Sequence, residues 1–263
     1  MGTLRSDQPV ERRSGLVGDV SVRELLLVRH GESEGNVAAA EARVAGAEVI
    51  DVPARDADVA LSSLGREQAA AVGDALAAMG PESVPEVLVC SPYVRARETA
   101  RLACDRAGLD LPTRVDERLR DRELGVLDRL TFVGVEARYP EEAERRRWQG
   151  KFYHRPAGGE SWADVALRLR SWLSDLDRDL GGARVLVVGH DVVIALLRYI
   201  CEGLDEEQVL ELTRATPMRN AALSRLVREE DLTWTTAAYD EVRHLHEAGL
   251  DVTEHKGERH AGA

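Results

Sequence analysis

Short apolar runs recur along the chain, each ending abruptly in polar residues, and between them lie stretches whose apolar positions return every three or four residues. Glu24-Leu-Leu-Leu-Val28 stops at Arg29-His30-Gly31, as a buried strand entering a loop does. Glu86-Val-Leu-Val-Cys90 stops at Ser91-Pro92, a helical stretch follows to about Ala107, and Val115 closes a third short strand. Arg184-Val-Leu-Val-Val-Gly189 is the clearest strand and runs directly into His190-Asp191 and a helix through Ile200. Ser62 predicts the cap of a helix over 63–79, stopped by Gly80-Pro81. Gly159-Glu160-Ser161 opens a long amphipathic helix to about Leu180, ended by Gly181-Gly182. Alternating stretches at 222–227 and 233–238 flank Glu229-Glu230-Asp231 and predict a hairpin.

Strands alternating with helices predict an α/β fold, a three-layer α/β/α sandwich with a mostly parallel sheet and helices on both faces. Residues 1–22 and 246–263 lack apolar periodicity and read as flexible tails around one domain at 23–245. Within it, about 118–159 is dense in Arg and Glu and broken by Pro140, Pro156 and Gly158-Gly159, so it reads as an insertion of short helices and loops. Ligands of such sheets bind beyond the carboxyl ends of the strands. Arg29-His30, Ser91 to Arg95, and His190 all stand at strand ends, so their groups are expected to meet at one edge.

Composition narrows the partners. The 263 residues carry 47 acidic and 35 basic side chains, a net charge of −12, which disfavours nucleic acid and anionic membrane surfaces. Hydrophobic residues at 44% and charged residues at 31% are the balance of a soluble globular protein. No apolar run has the length of a spanning helix, and the polar N-terminus lacks a secretory signal. Three cysteines make no even disulfide framework, and the expected location is cytoplasmic. Only Lys151 and Lys256 are lysine, so the positive charge is nearly all arginine, which most simply reflects composition.

Two histidines and at least two arginines converging at strand ends make an anion site suited to phosphate. Guanidinium offers paired donors to phosphoryl oxygens, a helix beginning after Gly31 or Asp191 adds backbone N–H groups, and an imidazole aimed at phosphorus can form a covalent phosphoryl-enzyme. Taken singly, either histidine reads equally as a satisfied core residue. Cys90 before the anion loop raises a cysteine mechanism, but the position six residues on, where such enzymes place arginine, is Ala96. No cluster has metal-ligand spacing, and no cofactor is expected.

The stretch Leu26-Leu-Val-Arg29-His30-Gly31-Glu-Ser33-Glu-Gly-Asn36 resembles the Arg-His-Gly-x-Ser-x-x-Asn signature of the histidine phosphatase superfamily, the phosphoglycerate mutase-like enzymes. Asp58-Val-Ala-Leu61-Ser62-Ser-Leu-Gly65-Arg-Glu-Gln68-Ala69, Ser91-Pro92-Tyr-Val-Arg95-Ala96-Arg-Glu-Thr99-Ala100, Gly158-Gly-Glu160-Ser161 and Val187-Val-Gly189-His190 resemble the same family in the same order, over roughly 24–240. The resemblance implies that His30 is the nucleophile that becomes phosphohistidine. Arg29, Arg95 and His190 would form the phosphate pocket, with Asn36 and Ser33 as substrate contacts. The family's acid position, Leu-x-Glu-x-x-x-Gly, is here Leu119-Arg120-Asp121-Arg122-Glu123-Leu124-Gly125, which makes Asp121 the proton donor and Glu123 the alternative.

In the insertion, Arg145, Arg146 and Arg147 are expected to pair with Glu141, Glu142 and Glu144 on a solvated helix, while Tyr153, His154 and Arg155 are candidates to contact substrate. Mutase-type members have adjacent arginines there too, followed by a Ser-Tyr and proline-rich stretch that this chain lacks. The expectation is therefore a metal-independent phosphatase acting on a small phosphorylated substrate. A mutase-type phosphoryl transfer and a non-catalytic phospho-ligand-binding relative are the alternatives, and the sequence leaves a homodimer open.

Overall fold

A computed structural model of the chain describes residues 21–53 and 55–254. Strand β1 (Glu24–Arg29) leads into helix α1 (Glu34–Ala45), then α2 (Ser63–Ala77), β2 (Val87–Cys90), α3 (Val94–Ala107) and β3 (Thr113–Val115). The insertion holds α4 (Phe132–Arg138) and α5 (Pro140–Tyr153) with short 3-10 turns before them, as expected. After it come α6 (Trp162–Leu180), β4 (Arg184–Gly189), α7 (Asp191–Cys201), α8 (Glu206–Ala215), β5 (Leu223–Arg228), β6 (Trp234–Glu241) and α9 (Arg243–Glu247).

The six strands form one sheet in the order β3-β2-β4-β1-β5-β6. The first four are mutually parallel, with Leu27 opposite Val187 and Leu88 opposite Leu186, and the β5–β6 hairpin adds antiparallel to β1. Every residue of β1 is buried, because helices cover both faces: α2 packs on α3, and α6 packs on α7. Leu25, Leu27, Leu186, Ile194, Leu197 and Trp172 lie in the resulting core, the apolar contents expected of a layered sandwich.

Local signals set the ends of these elements. Ser62 Oγ accepts from the Gly65 amide at 3.0 Å and starts α2, and Ser161 forms a reciprocal cap with Asp164 that starts α6. A side chain at Gly31 would meet the Gly65 carbonyl at 2.4 Å, so only paired glycines let the loop after β1 pass this close to α2.

The pattern of apolar residues does not reveal α1 beyond its start, or α8. Among α1 residues only Ala39 and Ala42 are buried, and Val209 alone in α8, so neither helix needs a wide apolar stripe. Residues 246–254, assigned to a tail by their polarity, are instead docked. Asn220 N–H donates to the Thr253 carbonyl at 2.9 Å, and Gln68 Nε2 donates to the Asp251 carbonyl at 3.0 Å. The N-terminal tail through residue 20, and residues 255–263, lie outside the described residues.

Candidate active site

The carboxyl ends of β1, β2 and β4 converge as their order in the sheet requires. His30 and His190 stand edge to face with ring centroids 5.3 Å apart, and Tyr93 meets the other side of His190 at 5.1 Å. His30 Nδ1 lies 2.7 Å from the Gly31 carbonyl, which can only accept, so that nitrogen carries the proton and Nε2 keeps its lone pair. Burial, then the charges of Arg95, His190 and Arg29, hold the His30 pKa well below the ordinary imidazole value. The ring is therefore neutral near pH 7, with the Arg29 and Arg95 guanidinium groups beside it.

Arg29 is buried beside it, its Nη1 donating to the Met218 carbonyl while its Nε has no hydrogen-bond partner among the described residues. Arg95 is gripped by carboxylates: Asp56 takes Nη1 at 3.0 Å and Nη2 at 3.2 Å, and Asp121 takes Nη2 at 3.0 Å. Asp121 Oδ2 is also 3.2 Å from His190 Nδ1, an ion-pair distance with poor alignment that leaves this nitrogen without a hydrogen bond. His190 Nε2 faces Ser91 Oγ at 2.8 Å. Burial pushes the Asp121 carboxyl up, but His190 and Arg95 override it and hold the group well below the usual carboxylate range. Glu123 also lines the cavity, yet it sits farther out and accepts from the Tyr93 hydroxyl at 3.1 Å. Asp121 is the carboxyl placed between the arginine and the histidine. Cys90 is buried, its thiol pushed up to about 11 by burial, and it has no nucleophilic character near neutral pH.

A ring of hydrogen bonds behind His30 joins residues far apart in the sequence. The Gly31 amide donates to Thr99 Oγ1 at 3.1 Å, and the Glu32 amide donates to Gln68 Oε1 at 2.9 Å. Asn220 Nδ2 donates to the His30 carbonyl and to Asn36 Oδ1, both at 3.2 Å, and Thr253 Oγ1 donates to Asn220 Oδ1 at 3.2 Å. These side chains fix the backbone on which the imidazole rides. Ser33 caps α1, exchanging hydrogen bonds with Asn36, so its hydroxyl is engaged although it lines the cavity. Among the described residues Asn36 Nδ2 makes no hydrogen bond, which leaves a donor for a ligand.

These groups stand at one end of a cavity of about 910 Å³. Arg122, Arg146 and Lys151 line another wall, with Lys151 Nζ 4.5 Å above the Trp162 ring. Burial, then Arg146 and Arg122, lowers the Lys151 ammonium to about 8, and burial beside Arg146 lowers Arg122 to about 10.

Three expected substrate contacts in the insertion are not in this cavity. Tyr153 is 58% exposed and donates to Glu206 at 2.9 Å. His154 is buried away from it against Glu142 at 3.0 Å, and Arg155 reaches outward to Asp164 at 2.7 Å. The cause is Gly150, whose backbone (φ 77°, ψ 159°) interrupts α5. In an unbroken helix Tyr153, two turns after Arg146, would share its face. The break turns Lys151 inward instead. Of the three arginines expected on the surface, Arg145 does pair with Glu142 at 3.6 Å, Arg147 pairs with Glu136 at 2.8 Å, and Arg146 lines the cavity. Among the described residues no group of three or more His, Cys, Asp or Glu is placed to hold a metal ion, and no helix is long and apolar enough to cross a membrane.

A layered, mostly parallel sheet with histidine and arginine side chains gathered beyond its strand ends is the architecture of the phosphoglycerate mutase-like phosphatases and mutases. The chain belongs to the histidine phosphatase superfamily (branch 1), whose model matches residues 25–241. It is 35% identical over 190 residues to a glucosyl-3-phosphoglycerate phosphatase of Mycolicibacterium vanbaalenii, covering 70% of this chain and 76% of that one. It is 34% identical over 195 residues to a 2,3-bisphosphoglycerate-dependent phosphoglycerate mutase of Sinorhizobium fredii, covering 73% of this chain and 85% of that one. The solved structure of a mycobacterial glucosyl-3-phosphoglycerate phosphatase complexed with VO3 is similar at a TM-score of 0.65 and 29% identity, covering 84% of this chain and all of that one.

Proposed function

We propose that this chain is a phosphatase that hydrolyses a small phosphomonoester through a phosphohistidine on His30, with Asp121 moving the proton. The observation that carries the reading is the neutral His30 imidazole, tautomerically fixed by the Gly31 carbonyl and flanked by Arg29, Arg95 and His190. Nε2 attacks phosphorus, a P–N bond forms as the ester P–O bond breaks, and Asp121 protonates the leaving alkoxide. Water then attacks the phosphohistidine, the P–N electron pair returns to Nε2, and the Asp121 carboxylate takes the proton of water.

Asp121 is ionised while Arg95 and His190 hold it, so its proton arrives with the substrate. A phosphate monoester entering as the monoanion places its oxygens on those same donors, and the displaced carboxylate, now beside negative charge, takes the substrate's proton. The phosphoryl group becomes a dianion at the moment it is gripped, and the acid is loaded. Arginine and imidazole donors then stabilise charge developing on the equatorial oxygens, each worth roughly 3 kcal/mol of barrier.

The mutase reading is favoured by the similarity to a phosphoglycerate mutase and by the cationic wall of Arg122, Arg146 and Lys151, which suits a second acidic group. The missing Ser-Tyr and proline-rich stretch supports hydrolysis. With purified full chain in EDTA, wild type is expected to release phosphate from p-nitrophenyl phosphate, and His30→Ala is expected to lose that release. Full turnover by His30→Ala overturns the mechanism. Isomerisation of phosphoglycerate without hydrolysis would establish the mutase.

A further inference from the structure

We infer that the part of the cavity running along α1 away from His30 is the binding site for an apolar organic group esterified to the substrate's phosphate. The inference rests on the phosphomonoester reading above and specifies its leaving group. The 910 Å³ cavity is at the upper end of the range for organic ligands and far exceeds what a phosphoryl group occupies. Asn36, Ala39, Arg43 and Gly46 all line it, and their spacing of three or four makes them one face of α1. At 1.5 Å per residue that face extends about 15 Å beyond the phosphoryl end.

What lies along it is mostly hydrocarbon. Ala39 and Ala42 are the smallest apolar side chains available and leave the space open on one side. Leu127, Leu130 and Phe132 line it from the insertion, and Ile50 lines it from the loop after α1. The two outer segments are tied to each other by the Ile50 amide on the Arg129 carbonyl at 2.8 Å, the Thr131 amide on the Glu48 carbonyl at 3.1 Å, and Thr131 Oγ1 on the Ala47 carbonyl at 2.6 Å. A side chain at Gly134 would collide with the Glu48 carbonyl at 1.9 Å, so the start of α4 is pressed against the same loop. Two of the charged groups on this wall are already engaged, Arg55 with Asp58 at 3.2 Å and Arg129 with the Val52 carbonyl at 3.0 Å. The arm is therefore a preformed apolar space continuous with a phosphate site, and its occupant is the apolar part of the ester held in that site. A small polar leaving group would leave these walls in water and gain nothing from them.

The test is a series of straight-chain alkyl phosphates from ethyl to octyl, read as kcat/KM for phosphate release and as calorimetric affinity. Burial of each added methylene is expected to raise kcat/KM by up to about fourfold until the arm is full, with tightening affinity and a heat-capacity change that becomes more negative along the series. Ala42→Leu, a substitution compatible with a helix, is expected to lower the octyl-to-ethyl ratio of kcat/KM at least tenfold. Ile50→Glu is expected to do the same from the opposite wall. A folding defect lowers both substrates together and leaves that ratio unchanged. If neither kcat/KM nor affinity rises with chain length, the arm is not an apolar subsite. If affinity rises with chain length but no member of the series, and no p-nitrophenyl phosphate, is hydrolysed, the arm stands and the phosphatase reading falls.

Discussion

The pocket at the strand ends and the insertion that partly covers it follow different rules. At the strand ends, each side chain hangs on a backbone whose direction, register and neighbours are set by the sheet, so His30, Arg95 and His190 meet because β1, β4 and β2 are adjacent and parallel. In the insertion, one residue of backbone decides everything downstream. Gly150 breaks α5, and Tyr153, His154 and Arg155 leave the cavity while Lys151 enters it. Chemistry placed on strand ends is thus robust to local sequence, whereas chemistry placed on a short helical insertion depends on a single glycine.

The largest effect that tests this contrast is at the acid. Asp121→Asn is expected to lower kcat by roughly 10²–10⁴-fold on p-nitrophenyl phosphate, while Glu123→Gln, whose side chain is half exposed, is expected to change it less than about tenfold. The reverse order would move the acid outward from the strand-end pocket. The pH dependence is the next largest effect. His30 has a depressed pKa, so it stays neutral until well below pH 6.5, and the substrate gives up its own proton above about pH 6. Because the complex needs exactly that one proton, kcat/KM is expected to be greatest at mildly acidic pH and to fall about tenfold per unit toward alkaline pH. A profile flat from pH 6 to 8 would contradict a proton brought by the substrate.

Beyond the break at Gly150 the expected costs are of another kind. His154→Ala takes away the buried hydrogen-bond partner of the Glu142 carboxylate and leaves it, among the described residues, only the exposed Arg145 at 3.6 Å, which is expected to reduce stability by about 1–3 kcal/mol in denaturant unfolding, with kcat/KM within about threefold of wild type. Smallest of all, Tyr153→Phe and Arg155→Ala remove exposed pairs that solvent screens, and steady-state kinetics are expected to be unchanged within about twofold. A tenfold loss from either would show that residues 153–155 reach the substrate, which their placement outside the cavity excludes.

The same contrast explains what the sequence reveals. Apolar runs ending in Arg29-His30, Ser91 and Gly189-His190 carry their own boundary signals, and the caps at Ser62 and Ser161 stand beside the helices they start. The hydrogen bonds behind His30 carry no such local signature. Gln68 and Thr99 fall within stretches that resemble the family, but what they bond shows only when the chain brings them to Glu32 and Gly31 across 36 and 68 residues, and Asn220 reaches His30 across 190. Residues 246–254 look like a tail because Leu250 and Val252 are too few to make a periodic pattern: these two pack half-buried against the core, while the Asp251 carbonyl and the Thr253 hydroxyl accept from Gln68 Nε2. Nothing local in the sequence singles out Lys151 and Arg122 from the other cations of the insertion, and the break at Gly150 and the burial of this wall do so.

The account turns on His30 carrying the phosphoryl group, and acid-free quenching during turnover tests it most directly. Mass spectrometry of protein mixed with excess substrate and stopped within milliseconds in alkali is expected to find one added phosphoryl group, stable to base and labile to acid, on the peptide containing His30. It should accumulate further in Asp121→Asn with a substrate of good leaving group, where deprotonation of the attacking water is slowed. A peptide map with the phosphoryl group on another residue, or turnover at full rate with no phosphorylated protein and an active His30→Ala variant, would contradict it.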